Sequence, residues 1–260
     1  MTEAIKVVFV GLGKMGAAAA RIANEDPEIK IVACVELKGS ESMQYPIFTS
    51  EKFIDAIKDA EIMVDFTNAD AATENILKAI AAGKKVVVGT TGFNEEQLNK
   101  INAAVKKYNA IVLLAPNFSV GVNLFFKFAG EMATKLRDYD VEVIEWHHNQ
   151  KKDAPSGTAA KIVDIIKNAR AQHDEIIYGR SGIAPRKKNE IGVHAIRAGD
   201  IVGTHSILFV GNNEEIEFRH CAHSRDAFAR GCLQAIKWIS AQNTQDKGGK
   251  IYGMNDVLGI

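Results

Sequence analysis

At 260 residues, with 47% hydrophobic and 25% charged side chains, the chain can form one large globular domain or two modest ones, and its composition is that of a soluble protein. Its 32 basic residues balance 32 acidic ones, which excludes a polyanion such as nucleic acid as the main partner and makes any basic site local. Cys34, Cys221 and Cys232 have neither metal-ligand spacing nor a pairing pattern, so they read as small buried hydrophobes of a cytoplasmic protein.

Residues 6–10 are a short apolar run that glycine ends too early for a signal peptide or a membrane span. Gly11-Leu12-Gly13-Lys14-Met15-Gly16 follows at once, and then the alanine-rich stretch 17–23. Strand, tight turn and helix are the context a GxGxxG dinucleotide fingerprint requires: Gly11 for the turn, Gly13 for backbone approach to a pyrophosphate, Gly16 for helix–strand packing. A second strand at 29–35 runs into Glu36, 36 − 16 = 20 residues beyond the last glycine, where an acid can bond the adenosine ribose hydroxyls. Glu36 repels a 2′-phosphate and Lys38 attracts one. NADH and NADPH therefore both stay open, with good use of NADH expected.

Alternation continues with a strand at 62–66, a helix at 71–82, a strand at 85–89, a helix at 95–107 and a strand at 110–115. This pattern predicts a parallel doubly wound sheet, whose ligands sit beyond the carboxyl ends of its strands. Three of those ends read Asp65-Phe66-Thr67-Asn68, Gly89-Thr90-Thr91-Gly92 and Ala115-Pro116-Asn117-Phe118. Thr67, Thr90, Thr91 and Asn117 either cap the helices that follow or together edge a site for a planar amide such as nicotinamide; three such ends on one edge favour the shared ligand.

Beyond Phe118 the pattern changes. A helix at 124–136 leads to a strand, to the paired histidines His147 and His148, and to a helix at 157–171. A polar loop from Tyr178 to Lys188 reads as mobile. Strands follow at 193–197, 201–210 and 214–223, the last two joined through Gly211-Asn212-Asn213. A final helix at 227–242 is expected to return to the first domain. The expected class is thus α/β: a Rossmann-type dinucleotide-binding domain over 1–118 and 227–260, and a smaller α+β substrate and oligomerisation domain with an open mixed sheet over 119–226.

The chemistry concentrates in residues 142–158. His147 and His148 point to opposite faces of an extended chain and so take different tasks. Asp153-Ala154-Pro155-Ser156-Gly157-Thr158 offers a capping residue, a proline suited to a first helical turn and open N–H groups that attract anions. General acids thus lie beside a seat for a carboxylate or phosphate. No HExxH or CxxC spacing occurs, and adjacent histidines on extended backbone chelate one ion poorly, so no metal is expected. His194, His205, His220 and His223 read as hydrogen-bonded structural histidines, His173 as a surface residue, Lys152 as solvated. Arg197 either reaches the cleft between the domains or pairs with Asp200.

The HHxxKxDAPSGTA segment at 147–159 closely resembles the signature of the dihydrodipicolinate reductases of bacterial lysine biosynthesis. Met15-Gly16, Asp65-Phe66-Thr67, Gly89-Thr90-Thr91-Gly92, residues 116–123, Arg197-Ala198-Gly199-Asp200 and Ser224-Arg225 extend the resemblance over nearly the whole chain. It implies NADH- or NADPH-dependent reduction of 4-hydroxy-tetrahydrodipicolinate, a small dicarboxylate, by a homotetramer in diaminopimelate and lysine biosynthesis. By match to the motif, His147 is the acid and Lys151 a second proton donor. His148 and the N–H groups of Gly157 and Thr158 hold a substrate carboxylate, while residues 11–16, Glu36, Lys38, Thr67, Gly89, Thr90, Thr91 and Ala115, Pro116, Asn117 and Phe118 hold the cofactor. Two departures stand out: the glycine turn is one residue shorter than in many members, and Thr204 occupies a position where the family often has Glu. The rival readings are another two-domain nicotinamide oxidoreductase, acting on an amino acid or sugar with Lys151 alone as acid, and a non-catalytic NAD(P) sensor, which has no need of His147 or Lys151.

Overall fold

The computed structural model describes residues 3–36 and 45–260. In chain order its elements are β1 (Ile5–Val10), α1 (Lys14–Glu25), β2 (Ile29–Val35), β3 (Ile47–Phe48), α2 (Phe53–Ile57), β4 (Ile62–Asp65), α3 (Ala69–Ala81), β5 (Lys85–Val88), α4 (Glu95–Lys107) and β6 (Ile111–Leu114). Next come α5 (Val120–Lys135), β7 (Asp140–His147), α6 (Gly157–Arg170), β8 (Glu175–Tyr178), β9 (Glu190–Arg197), β10 (Gly203–Val210) and β11 (Glu215–Ala222). The chain ends with α7 (Asp226–Ser240), α8 (Thr244–Lys247), β12 (Lys250–Tyr252) and α9 (Met254–Leu258). Two compact units result, Met1–Val120 with Arg225–Ile260, and Gly121–Ser224. Among the described residues no helix is long and apolar enough to cross a membrane.

The first unit is a seven-stranded sheet in the order β12-β6-β5-β4-β1-β2-β3, parallel at every pairing. Strand residues alternate between two cores because successive side chains point to opposite faces. Val7, Phe9, Ile62 and Val64 pack with α1 and α7, whereas Val8, Val10, Met63 and Val86 pack with α2, α3 and α4. Burial on both faces explains why these strands are continuous apolar runs. The edges β3 and β12 have two and three residues, too few to show a period in the sequence.

The second unit holds a five-stranded mixed sheet, β11-β10-β7-β9-β8, in which β10 is antiparallel to β7 and β11 while β7 and β9 are parallel. One face, carrying Val141, Val143, Ile191, Val193, Ile207 and Phe209, is covered by α5 and α6. The other carries the half-buried Ile144, Trp146 and Leu208 and the exposed Ile196. The stretch 178–188, expected to be mobile, is held at two points: Arg180 pairs with Glu190, and Arg186 pairs with Glu142 and Asp140 and donates to the carbonyls of Val141 and Glu190. The extra strand β8 has no period in the sequence, because its four residues, Glu175-Ile176-Ile177-Tyr178, show no clean alternation.

Close packing returns the C-terminal helix to the first sheet. A Cβ added at Gly231 of α7 would stand 1.8 Å from the Phe118 carbonyl oxygen. Gly231→Ala gains about 1 kcal/mol of helix propensity, yet the backbone clash outweighs it, and a net loss of roughly 1–3 kcal/mol is expected from urea unfolding. Gly253→Ala is the control, since its Cβ would find nothing nearer than 3.8 Å. Equal midpoints for the two variants would contradict this packing.

Candidate active site

In the first unit the ends of β1, β2, β4, β5 and β6 bring the glycine turn, Glu36, Thr67, Gly89-Thr90-Thr91 and Ala115–Phe118 to one edge of the sheet. Gly11 has φ of +83°, and a Cβ on Gly16 would lie 1.9 Å from the Gly11 carbonyl oxygen, so neither position accepts a side chain. Gly13 differs: a Cβ there would meet nothing within 4 Å, and no side chain caps α1. Open backbone at an uncapped helix start suits a pyrophosphate. The Glu36 carboxylate accepts the Leu12 N–H at 2.6 Å, which ties the acid to the turn. Lys38 lies outside the described residues.

Asp65 organises the neighbouring loops. It is fully buried at the end of β4 and accepts from Thr67 N (2.9 Å), Thr67 Oγ1 (2.7 Å), Thr90 Oγ1 (2.8 Å) and Asn75 Nδ2 (2.9 Å). The helix caps are Asn68 and Asn94, so the capping alternative does not hold for Thr67, Thr90 or Thr91. Thr67 and Thr90 instead give their hydroxyl protons to Asp65, and Thr91 is exposed. Asn117 accepts from Ser119 N at 2.9 Å, while the side chains of Ala115 and Phe118 are in the core and leave only backbone for a ligand.

In the second unit β7 alternates, so Glu145 and His147 share the face of Val141 and Val143. The Glu145 carboxylate, fully buried, contacts His147 Nδ1 at 2.5 Å, accepts Ser156 N–H at 3.0 Å, and takes both Nη atoms of Arg197 at 2.8 Å. Burial alone would raise this carboxyl, but Arg197, His147 and the Ser156 amide hold it below the ordinary range, and it stays ionised. Burial likewise pushes the His147 imidazole below its ordinary value, against the pull of Glu145, with Lys151 and Arg197 adding to the fall. His205 lies edge-on to His147, ring centroids 5.2 Å apart, and burial carries it down to about 3, so it is neutral near pH 7. Its Nε2 stands 3.1 Å from Ser156 Oγ, the hydroxyl that caps α6.

His148 is half-buried, and its carbonyl accepts Lys151 N–H at 3.1 Å. Lys151 Nζ pairs with Asp153 at 2.9 Å. Gly157 and Thr158 are the first residues of α6, where N–H groups have no intrahelical acceptor. The expectation of a proline in that first turn is corrected: Pro155 precedes the capping Ser156, and glycine opens the helix. Of the two roles open to Arg197, pairing with Asp200 does not hold, because both its Nη atoms are on Glu145. Glu145 itself was not singled out in the sequence. An acid on the apolar face of a strand, two residues before a histidine, was the available signal, since a buried charge must be paired.

The N-terminal family model of dihydrodipicolinate reductase matches residues 5–118, and the C-terminal model matches residues 121–258. The 4-hydroxy-tetrahydrodipicolinate reductase of Methanoculleus marisnigri is 45% identical over 260 residues, covering 98% of this chain and 100% of the relative. That of Methanosarcina mazei is 50% identical over 201 residues, 77% of this chain and 74% of the relative. Among solved structures, the dipicolinate-bound dihydrodipicolinate reductase from Paenisporosarcina sp. TG-14 superposes with a TM-score of 0.81 at 28% identity, over 97% of this chain and 99% of its own. With both halves matched and whole-length relatives well above 30% identity, the chain belongs to the dihydrodipicolinate reductase family.

Proposed function

We propose that this protein reduces 4-hydroxy-tetrahydrodipicolinate to tetrahydrodipicolinate with NADH or NADPH, in diaminopimelate and lysine biosynthesis. The observation that carries the reading is the pairing of His147 Nδ1 with the buried Glu145 carboxylate beside the start of α6, which leaves Nε2 as the proton-exchanging atom. Loss of water from the hydroxylated ring gives an unsaturated imine. A reduced nicotinamide held by residues 11–16, Glu36 and the loops after β4, β5 and β6 would supply the hydride for ring C4. The electron pair displaced into the resulting enamine then takes a proton from His147 Nε2, so that one hydride and one proton enter and one water leaves. Lys151 is the second donor and offsets developing negative charge. His148 and the N–H groups of Gly157 and Thr158 hold a ring carboxylate.

Substrate made in situ from pyruvate and aspartate semialdehyde by a synthase tests this, read as loss of nicotinamide absorbance. His147→Gln is expected to lower kcat on the order of 10²–10⁴-fold with unchanged NADH affinity. A general acid works only while protonated, and His147 is depressed by burial. In the wild type kcat/KM should therefore fall as pH rises through a value below 6.5, a limb absent from the variant. Cofactor binding without oxidation would refute the substrate assignment while leaving the fold untouched.

Nucleotide choice follows from Glu36 at the glycine turn, which disfavours a 2′-phosphate, and from Lys38, which offsets it. NADH should be used well; a preference for NADPH of about a hundredfold or more would reverse the weight given to the two side chains.

The face of the second sheet opposite α5 and α6, with Ile144, Trp146, Leu208 and the 37%-exposed Ile196, is the surface through which copies of the chain assemble into a homotetramer in this reading. Sedimentation should give a tetramer for the wild type and smaller species for Ile196→Asp. A monomeric wild type would rule this assembly out.

A further inference from the structure

We propose that Glu145 is a positioning residue whose single carboxylate orients both the imidazole of His147 and the anion-holding start of α6. The inference rests on the reading of His147 as the acid and adds what sets its working tautomer.

A carboxylate accepts about four hydrogen bonds, and Glu145 has all of them assigned. Oε2 takes His147 Nδ1 and one Arg197 Nη; Oε1 takes Ser156 N–H and the other Nη. No acceptor position is left for substrate, so Glu145 acts through its neighbours. An ionised carboxylate accepts only, which obliges His147 Nδ1 to donate and delivers Nε2 as the exchanging atom. Nε2 faces the Cα of Gly203, where an added Cβ would come within 3.1 Å.

The other oxygen governs the helix start. Ser156 is the N-cap of α6: its N–H points to Glu145, while its Oγ accepts Ala159 N–H at 3.2 Å and meets His205 Nε2 at 3.1 Å. His147, Glu145, Ser156 and His205 thus form a closed ring of contacts, completed by the edge-on imidazoles of His147 and His205. Any shift of Glu145 moves the acid and the amides of Gly157 and Thr158 together. Register makes this possible: β10 sets His205 opposite Glu145, and β9 sets Arg197 opposite His147. The charged or titratable groups facing His147 are Glu145 on its own strand, Arg197 on β9, Lys151 in the following loop and His205 on β10, with His220 beyond it on β11.

The test combines ¹⁵N-imidazole NMR, with His147 assigned by comparison with His147→Gln, and the pH profile of kcat/KM in the full-length protein. Wild type should show Nδ1–H with bare Nε2 above its titration. Glu145→Gln keeps the shape, removes the charge and presents an amide donor. It should populate Nε2–H, move the limb to lower pH by about one unit and lower kcat on the order of 10²-fold. Arg197→Met, which leaves Glu145 uncompensated, should move the limb upward. Opposite shifts mark a charge-based positioning role, whereas a merely structural role lowers activity with the tautomer and limb unmoved, and that result overturns the proposal. Should Glu145→Gln not fold, a downward or absent shift in Arg197→Met overturns it as well. The tautomer readout needs no substrate, so a wild type that never oxidises NADH would end the reaction reading and still decide this one.

Discussion

An ionised carboxylate stripped of water costs several kcal/mol unless its lone pairs are satisfied, and the second unit is arranged around meeting that requirement at Glu145. Its partners come from three places: His147 from the same strand, Arg197 from β9 and the Ser156 amide from the segment entering α6. Each partner needs the others, since removing any one leaves a buried charge short of a bond. Strand, sheet neighbour and helix start are thereby fixed relative to one another. The His147 imidazole and the first amides of α6 inherit their positions from that constraint.

Asp65, also fully buried, gathers a different set of donors in the first unit. Two threonines, an asparagine and one backbone N–H converge on it from the loop after β4, from α3 and from the loop after β5. Loops at the carboxyl ends of parallel strands are where such sheets bind ligands, and loops without internal anchors would be poorly defined. A buried acceptor shared between adjacent loops gives them a common reference point. Gly16 and Gly89 serve the same end by absence: a Cβ at either would strike the Gly11 carbonyl or the Phe66 ring at about 2 Å.

These arrangements also divide the polar residues by task. Groups such as Glu145 and Asp65, fully buried and hydrogen-bonded on both carboxylate oxygens, hold geometry. His148, Lys151 and the first amides of α6 keep bonding capacity toward the outside. His147 stands between the classes, with one ring nitrogen committed to Glu145 and the other available. Burial explains its lowered basicity, and the neighbouring carboxylate limits how far that lowering goes.

Much of this was legible in the residue order. Runs such as Lys6–Val10 and Lys85–Val88, alternating with helical stretches, determined the parallel doubly wound sheet, because strands buried on both faces must be continuously apolar. The spacing of Gly11, Gly13, Gly16 and Glu36 determined a strand-turn-helix with an acid at the next strand end, and the HHxxKxDAPSGTA segment carried the family. Backbone alternation alone already put Glu145 and His147 on one face. The identity of their partners was decided only by tertiary structure. Arg197 is 52 residues from Glu145 in the chain, His205 is 49 from Ser156, and Thr90 is 25 from Asp65. Local preferences set the period of each strand, but which residues stand opposite is set by register, and register follows from how the whole apolar face packs against its helices. Arg197 accordingly had Asp200 as its candidate partner in the sequence and took Glu145 in the fold.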